Sequence, residues 1–257
     1  MIQVLKIGGK LIDDEVLLKI SLEVFHTLKG NKVLIHGGGK SASALSERLG
    51  LRPRLVEGRR ITDKETLDVV TMTYAGLVNK KIVTRLQALG CRALGLCGAD
   101  ADLIRAVRRP IQDIDYGHVG DLKENSVDVF VLNFLFEKGL VPVLCALTHD
   151  GQGGLLNTNA DTIASVVAFA LAADHEVALH YAFEKRGVLR DPSDESSFFS
   201  QIDEKSFYHL KRQKVITEGM IPKLENAFKA LRAGVSRVTV GRPESLTDFT
   251  NTTSLCL

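Results

Sequence analysis

The sequence lacks the features that mark several large classes of protein. Its formal charge is +2, from 33 basic and 31 acidic residues, so it has no basic excess for binding nucleic acid. No apolar run reaches the length of a membrane span, and Met1 leads directly into a strand-like segment without a basic n-region or cleavage site. We therefore expect a cytoplasmic protein with no membrane partner and no nucleic-acid partner.

Cysteine is scarce and follows no metal-binding pattern. The chain has no Cys-x-x-Cys pair, so we expect buried, reduced thiols and no zinc site at Cys91, Cys97, Cys145 and Cys256. Repeats and low-complexity tracts are also absent. The 257 residues are 45% hydrophobic, which is enough to fill the core of one large α/β domain or of two lobes.

Two strand-like runs end in glycines. Val4-Leu5-Lys6-Ile7 is followed by Gly8-Gly9, and Val33-Leu34-Ile35-His36 opens into Gly37-Gly38-Gly39. Glycines at the carboxyl ends of neighbouring parallel strands leave backbone N–H groups exposed, and a phosphate can bind there. Lys6 adds a positive charge. The pattern therefore predicts a phosphate-handling site.

Strand-like and helix-like periods alternate along the chain, which predicts a mainly parallel sheet covered by helices. A Thr-x-x-Glu capping box at Thr62 predicts the start of a long helix that ends before Gly90. The polar segment 103–124 favours hairpins over the site, and 191–205 is expected to be a flexible surface segment. The predicted strands are 3–7, 32–36, 93–97, 140–147, 176–181 and 235–240, and the predicted helices are 14–28, 40–49, 62–89, 126–138, 160–173 and 221–233.

Three interpretations of the glycines compete. A dinucleotide-binding fold requires Gly-x-Gly-x-x-Gly after the first strand, but Lys10-Leu11-Ile12-Asp13 follows Gly8-Gly9. Gly39-Lys40-Ser41 matches the end of a P-loop, but Leu34 stands where the first glycine of a P-loop is required. The third interpretation, that the glycines only form tight turns, stays open on these residues alone.

Six motifs, in their order along the chain, resemble the acetylglutamate kinases of the amino acid kinase family. The resemblance spans nearly the whole sequence, and although each motif is weak alone, their shared order is specific. The motifs are Lys6-Ile7-Gly8-Gly9, His36-Gly37-Gly38-Gly39, Glu57-Gly58-Arg59-Arg60-Ile61-Thr62, Gly117-His118-Val119-Gly120, Asn157-Thr158-Asn159-Ala160-Asp161 and Thr217-Glu218-Gly219-Met220-Ile221-Pro222-Lys223.

The resemblance implies a fold and an activity. The fold would be a three-layer α/β/α sandwich around a mainly parallel sheet, with an N-terminal lobe (about 1–174) that binds the acyl-amino acid and a C-terminal lobe (about 175–257) that binds ATP. The activity would be phosphorylation of the side-chain carboxylate of an N-acyl-L-glutamate, with N-acetyl-L-glutamate as the expected substrate, in arginine biosynthesis. The alternatives are the same reaction on N-succinyl-L-glutamate, another small-molecule kinase of the same fold, and, more distantly, a non-catalytic nucleotide-binding sensor.

The resemblance also implies roles for residues around the phosphate. Lys6 and Lys223 resemble the two lysines that neutralise charge on the transferring phosphoryl group, and Asp161 resembles the aspartate that holds both lysines. Gly8 and Gly9 would donate backbone N–H groups to the γ-phosphate. A simpler alternative for Asp161 is an acid in the first turn of a helix, favoured by the helix dipole.

Four further residues would contact the amino-acid substrate. Gly38 and Gly39 would lie against it, and Arg60 and Asn157 would bind its carboxylate and amide. The alternatives are a surface ion pair for Arg60 and a turn position for Asn157. A glutamate side chain has a pKa of about 4.3, so its carboxylate is an ionised nucleophile at neutral pH and needs no general base. Mg²⁺ would be bound mainly by the ATP phosphates.

Two further features of the sequence concern nucleotide binding and assembly. Where these kinases carry a short Ser-Asp-Val-x-Gly-like turn, this chain reads His180-Tyr181-Ala182-Phe183-Glu184-Lys185-Arg186-Gly187-Val188, with Glu184 as a candidate replacement for the missing aspartate. The first strand is predicted from residue 3, which leaves no room before it for the N-terminal helix that links arginine-inhibited relatives into hexamers. The resemblance therefore implies a homodimer that is insensitive to arginine.

Overall fold

The structure is a computed structural model that describes residues 1–56, 59–216, 219–246 and 251–257. Two of the predicted motifs fall partly outside these ranges. Glu57 and Gly58 open one motif, Thr217 and Glu218 open another, and all four lie outside the described residues. The remaining residues of both motifs are described.

The strands are numbered along the chain. They are β1 (Ile2–Ile7), β2 (Lys32–His36), β3 (Leu55–Val56), β4 (Arg59–Arg60), β5 (Ala93–Leu96), β6 (Val107–Arg108), β7 (Val119–Asp121), β8 (Val141–Cys145), β9 (Leu147–His149), β10 (Leu155–Thr158), β11 (Val177–Ala182), β12 (Gln201–Asp203), β13 (Arg237–Gly241) and β14 (Thr253–Cys256).

The helices follow the same numbering. They are α1 (Gly9–Asp13), α2 (Glu15–Thr27), α3 (Gly39–Arg48), α4 (Lys64–Thr71), α5 (Asn79–Ala88), α6 (Val129–Glu137), α7 (Ala160–Ala172), α8 (Glu204–Arg212) and α9 (Ile221–Arg232). A π-helical segment, Met72–Val78, joins α4 to α5. No helix in the described part of the chain is long and apolar enough to cross a membrane.

The main sheet has the strand order β12-β14-β13-β11-β1-β2-β8-β5 across the described residues. Every neighbouring pair is parallel except β13 and β14. In the sheet, β2 lies on one side of β1 and β11 lies on the other. Because these three strands are parallel neighbours, the loops that follow them lie side by side at the carboxyl ends of the strands. Such a switch point in a parallel sheet is where ligands bind.

Alternate residues of the central strands pack on opposite faces of the sheet. Val4 of β1 belongs to a core that includes Ile163 of α7 and Phe228 of α9. Leu5, the next residue, belongs to a second core that includes Leu18 of α2 and Ile82 of α5. Because side chains alternate along a strand, helices cover both faces and make three layers. This confirms the predicted α/β/α sandwich with a mainly parallel sheet.

A second, smaller sheet lies beside the carboxyl ends of the main strands. Its order is β6-β7-β10-β9, and β7 pairs in parallel with β10 through Asn157 and Val119. The hairpin expected within 103–124 is present as the antiparallel pair β6 and β7. The segment between the predicted strand 140–147 and the predicted helix 160–173 is not only a loop, because it contains β10.

Several element predictions need correction. The cap of α4 is Asp63, whose carboxylate accepts from the Thr66 amide at 2.9 Å, rather than Thr62, which is buried. The predicted strand 140–147 is two strands, β8 and β9, with a break at Ala146. Segment 191–205, expected to be a flexible surface segment, contains regular structure at its end, namely β12 and the start of α8.

Candidate active site

Three charged side chains meet at the carboxyl end of β1. Lys6 Nζ lies 2.7 Å from Asp161 Oδ1, and Lys223 Nζ lies 3.0 Å from both oxygens of the same carboxylate. Each of these side chains is at most 17% exposed. Asp161 is in the first turn of α7 and Lys223 is in the first turn of α9. Two helix N-termini, which favour anions, therefore converge on the end of β1.

Burial and the neighbouring charges together shift the pKa values of Asp161 and Lys223. Burial alone would raise the pKa of the Asp161 carboxyl, but Lys223 and Lys6 hold it well below its usual range. Burial lowers the pKa of Lys223 to about 8, although the Asp161 charge opposes this shift. Lys223 Nζ also lies 5.0 Å from the centre of the Tyr181 ring. Two lysines against one carboxylate leave an excess positive charge that an anion can balance.

The loop after β1 turns directly into α1. Gly9 is the first residue of that helix, whose first amide groups lack acceptors within the helix. The Gly8 amide donates to Ala182 O at 2.8 Å, so in this structure it is already paired with the end of β11. A Cβ on Gly8 would lie 3.2 Å from the same carbonyl oxygen, a tight approach that favours glycine. The free donors of this loop therefore begin at Gly9.

The loop after β2 is held from behind by a buried histidine and a buried tyrosine. His36 Nδ1 lies 2.7 Å from Gly37 O, and its Nε2 lies 3.0 Å from Asn79 Nδ2. Burial lowers the pKa of His36 to about 4, so its ring is neutral at physiological pH. A Cβ on Gly38 would lie 2.8 Å from Tyr74 Cδ1, which leaves no space for a larger residue. The loop is thus fixed against the π-helical segment.

Arg60 and Asn157 are both built into the site. Arg60 is buried, and its Nη2 donates to Gly39 O at 2.8 Å and to Ser43 Oγ at 2.7 Å. Its Nη1 is buried with no hydrogen-bond partner among the described residues. Asn157 lies in β10, and its Nδ2 donates to Thr62 Oγ1 at 3.0 Å. The alternative of a surface ion pair for Arg60 is wrong, as is a turn position for Asn157.

Two cavities meet at Lys6 and Gly9, which line both. The first cavity, of about 370 Å³, continues along the loop after β11 and the start of α9. Its lining includes Gly8, Lys10, Phe183, Glu184, Lys185, Gly187, Val188, Leu189, Pro192, Val215, Ile216, Gly219, Met220 and Lys223. The second, of about 210 Å³, is lined further by Gly37, Gly38, Gly39, Leu55, Arg59, Arg60, Tyr74, Arg109, Val119, Ala146, Asn157, Thr158, Asn159 and Ala160.

The divergent segment 180–188 lies on the first cavity. His180, Tyr181 and Ala182 belong to β11, so the loop itself begins at Phe183. Glu184 accepts a hydrogen bond from Lys10 Nζ at 2.5 Å. Burial alone would raise the pKa of Glu184, but the bond from Lys10 keeps it below the usual value. An ionised carboxylate therefore lies at the mouth of this cavity.

Comparison with known proteins identifies the family of this chain. The sequence profile of the amino acid kinase family matches residues 1–242. This chain belongs to the amino acid kinase family. Among members of the family, acetylglutamate kinase from Bacteroides fragilis is 53% identical over 237 residues, covering 92% of this chain and 90% of that protein. Acetylglutamate kinase from Bacteroides thetaiotaomicron is 51% identical over 245 residues, covering 95% of each.

A solved structure has a similar fold over most of the chain. The crystal structure of smu.665 from Streptococcus mutans superposes with a TM-score of 0.79 at 29% identity, covering 93% of this chain and 94% of that one. The predicted resemblance to acetylglutamate kinases of the amino acid kinase family is confirmed by these relatives.

Several residues of the second cavity were not among the predicted site residues, and Tyr74 and Arg109 are two of them. Tyr74 packs against Gly38 in the loop after β2, and Arg109, like Arg59, lines the cavity. Tyr74 sits in an apolar helical stretch, where a core position is the ordinary interpretation. Arg109 belongs to a polar segment without periodicity. Neither residue carries a local sequence signal, because both reach the cavity only through the tertiary fold.

Proposed function

We propose that this chain transfers the γ-phosphoryl group of ATP to the side-chain carboxylate of an N-acyl-L-glutamate, with N-acetyl-L-glutamate as the reference substrate. The relatives named above are acetylglutamate kinases that match nearly the whole chain. The observation that carries the proposal is the cluster of Lys6, Asp161 and Lys223 at the junction of two cavities. Each cavity would hold one reactant, and transfer would occur where they meet. The product is an acyl phosphate, the activated form used in arginine biosynthesis.

The two cavities divide the reactants between the two halves of the chain. We place ATP in the first cavity, most of whose lining residues lie between Phe183 and Lys223, and the acyl-amino acid in the second, whose lining ends at Ala160. Apart from Lys6, Gly8, Gly9 and Lys10, the residues that line the first cavity come after residue 174, which supports the proposed boundary between the lobes. Gly9 would donate to the γ-phosphate, with Gly8 holding the loop to β11. Gly38 and Gly39 would lie against the glutamate backbone.

The chemistry requires positioning and charge neutralisation. The acceptor carboxylate is ionised at neutral pH and attacks phosphorus directly, so no residue has to remove a proton. Lys6 and Lys223 would bind the equatorial oxygens of the transferring group as its charge spreads. Asp161 has both oxygens committed to the lysines, so we assign it an organising role. Arg60 Nη1 is the donor best placed to bind the substrate α-carboxylate, and Asn157 its amide.

The residues fit a magnesium ion that arrives with ATP. Within the described ranges, no group of three or more His, Cys, Asp or Glu side chains could hold a metal. The Asp161 carboxylate is already bonded to two lysines. Mg²⁺ retains several waters and binds substrate phosphates in many kinases. We therefore propose that the ATP phosphates supply most of its ligands other than water and that it neutralises part of their charge.

Assembly and location stay predictions. A homodimer would cover exposed apolar surface, of which Phe130 and Phe134 are an example, one helical turn apart on α6 and 77% and 48% exposed. Light scattering measures the assembly state. A cytoplasmic location is the expectation for a biosynthetic enzyme of this class, and fractionation of the source cells tests it.

The direct assay traps the product with hydroxylamine. Purified protein, MgATP and N-acetyl-L-glutamate should yield a hydroxamate, whereas free glutamate and aspartate should yield far less. A nucleoside monophosphate forms no hydroxamate, so its turnover is measured by coupled ADP release, which should also be far lower. Turnover of one of those alternatives with N-acyl-glutamates inert would place the chain with another kinase of the same fold. ATP binding without turnover of any of them would make it a nucleotide sensor.

A further inference from the structure

The first cavity contains both members of one ion pair. Its described lining residues include four lysines and a single acid, which are Lys6, Lys10, Lys185, Lys223 and Glu184. Asp161 holds two of these lysines and Glu195 holds a third, and neither of those acids lines the cavity. Lys10 is the fourth lysine, and its partner Glu184 lines the cavity with it. A ligand in this cavity would therefore meet a cation and the acid that holds it.

The pair joins two neighbouring loops at the carboxyl end of the sheet. Lys10 Nζ lies 2.5 Å from Glu184 Oε1, although 174 residues separate them in the sequence. Lys10 follows the loop after β1, Glu184 lies in the loop after β11, and these two strands pair in parallel. Lys10 lines the first cavity but not the second, whereas the preceding Gly9 lines both. Lys10 is therefore on the side of the junction that we assign to ATP.

Glu184 is fixed close to the charged cluster, and Lys10 is free to move. Arg242 Nε donates to the backbone oxygen of Glu184 at 3.1 Å, which holds the loop. The Glu184 charge opposes the effect of burial on the pKa of Lys223, so its field reaches that lysine. The Lys10 side chain is 63% exposed, against 27% for Glu184. A long exposed side chain can change its rotamer without disturbing the fold.

A bound polyphosphate would compete with Glu184 for this lysine. Exposed ion pairs between lysine and carboxylate contribute little to stability, since both groups are well solvated when apart. Phosphate oxygens inside a cavity accept charge-assisted hydrogen bonds that are stronger. The phosphates and the Glu184 carboxylate also carry the same sign of charge and repel each other. Movement of the ammonium from Glu184 to phosphate is therefore favourable.

We propose that Lys10 is a third phosphate-binding lysine, which leaves Glu184 to bind the polyphosphate of the nucleotide in the first cavity. The inference rests on the proposed kinase function and adds a residue to its nucleotide site. Glu184 holds the lysine at the cavity before the nucleotide binds and competes for it afterwards. It is thus a positioning residue for Lys10, and its carboxylate makes no contact with the nucleotide.

The test measures nucleotide binding by isothermal titration calorimetry, with MgADP and adenosine as probes. Lys10→Gln should raise Kd for MgADP by at least about tenfold, the size of effect that one charge-assisted contact produces. Adenosine has no phosphate, so its Kd should stay at the wild-type value. In steady-state kinetics, kcat/KM for ATP should fall by a similar factor, while kcat changes much less.

Glu184→Gln separates competition from nucleotide contact. Removal of the competing carboxylate should lower Kd for MgADP by about threefold or more. In the double variant Lys10→Gln with Glu184→Gln, Kd should lie between those of Lys10→Gln and the wild type, because the unpaired carboxylate that repels phosphate is gone. A Glu184 that binds the nucleoside would give the opposite sign, with a higher Kd for both MgADP and adenosine in Glu184→Gln.

The matched control is Lys211→Gln. Lys211 Nζ lies 2.6 Å from Glu225 Oε1, its side chain is 38% exposed, and it lines neither the first nor the second cavity. The control removes an ion pair of the same kind and should keep both Kd values. Thermal unfolding of each variant shows whether it is folded.

The outcomes separate this inference from the function on which it rests. A Kd for MgADP within about twofold of wild type in folded Lys10→Gln, with N-acetyl-L-glutamate still phosphorylated by the wild type, overturns the inference and leaves the kinase function intact. An equal loss of adenosine binding, or a higher Kd for MgADP in Glu184→Gln, also overturns it. A wild-type chain that binds MgADP but phosphorylates no N-acyl-glutamate overturns the proposed function itself.

Discussion

Lys6 Nζ and Asp161 Oδ1 are 2.7 Å apart, although 155 residues separate them in the sequence. The end of β1 and the first turn of α7 bring them together, and both side chains are nearly buried. The same carboxylate holds Lys223 from α9, so one acid fixes two cations where the two cavities meet. The site is therefore preorganised before substrates bind, which is how charge stabilisation lowers a barrier.

The first prediction concerns Lys6. A unit charge about 4 Å from a phosphoryl oxygen, at an effective dielectric near 20, interacts by roughly 4 kcal/mol. Because each 1.36 kcal/mol is about tenfold in rate, Lys6→Ala should lower kcat on the order of a thousandfold and leave KM for the acyl-glutamate nearly unchanged. Lys6→Arg should restore little, since a planar guanidinium does not replace a compact ammonium. Steady-state kinetics measures both.

The control for that experiment is Lys19→Ala. Lys19 lies on α2, is 74% exposed and faces Glu23 one turn away, so its loss should leave kcat at the wild-type value. If Lys6→Ala retained more than about a tenth of wild-type kcat, less than 1.4 kcal/mol would be lost, and Lys6 would not contact the transferring group.

The second prediction concerns pH. Lys223 must be protonated to bind phosphate, and burial lowers its pKa to about 8 in the free protein. As pH rises through that value the ammonium loses its proton, so kcat/KM for ATP should fall on an alkaline limb near pH 8. Bound phosphate favours the charged lysine, so the same limb in kcat should lie at higher pH.

Two variants identify the group that titrates. Lys223→Arg should abolish the limb near pH 8, because guanidinium stays protonated throughout this range. Asp161→Asn should move the limb to lower pH, since it removes the negative charge that opposes the effect of burial on Lys223. A limb that stays near pH 8 in both variants would show that another group is responsible.

The third prediction concerns the space behind Gly38. An added Cβ would lie 2.8 Å from Cδ1 of the buried Tyr74 ring and 3.4 Å from Val78 Cγ2. Overpacking of this kind typically costs about 1–3 kcal/mol, so Gly38→Ala should shift the loop and raise KM for the acyl-glutamate about tenfold or more. KM for ATP should change much less. Kinetics with each substrate varied in turn separates the two effects.

Gly76→Ala is the matched control for Gly38→Ala. Gly76 lies in the π-helical segment two residues after Tyr74, and its added Cβ would meet no atom within 4 Å. The control should keep both KM values. An unchanged KM for the acyl-glutamate in Gly38→Ala would mean that the loop after β2 does not contact the substrate.

Much of the fold was predictable because the central strands are strong local signals. β1 and β2 are continuous apolar runs that end in glycines, and α7 is apolar over nearly its whole length. The elements near the C-terminus were missed for a physical reason. α8 buries Phe207 alone among its residues, and β12 and β14 are short strands at the edge of the sheet, so hydrophobic periodicity is weak there.

The candidate site was predictable only through the order of its motifs. Nothing local in the sequence places Asp161 beside Lys6, since that contact is made by strand order in the sheet. The same limit explains why Arg109 was missed, because its position depends on pairing between β6 and β7. Thr62 was mistaken for a helix cap because Asp63, the next residue, has the same capping ability.

The most direct test of the account identifies which carboxylate of the substrate is phosphorylated. The protein is incubated with MgATP and N-acetyl-L-glutamate, the acyl phosphate is reduced with borohydride, and the alcohol is identified by mass spectrometry and NMR. The account predicts the primary alcohol at the side-chain carbon, in amounts that depend on ATP and are lost in Lys6→Ala. An alcohol at the α-carboxyl carbon, or ATP consumption without any reducible acyl phosphate, would contradict it.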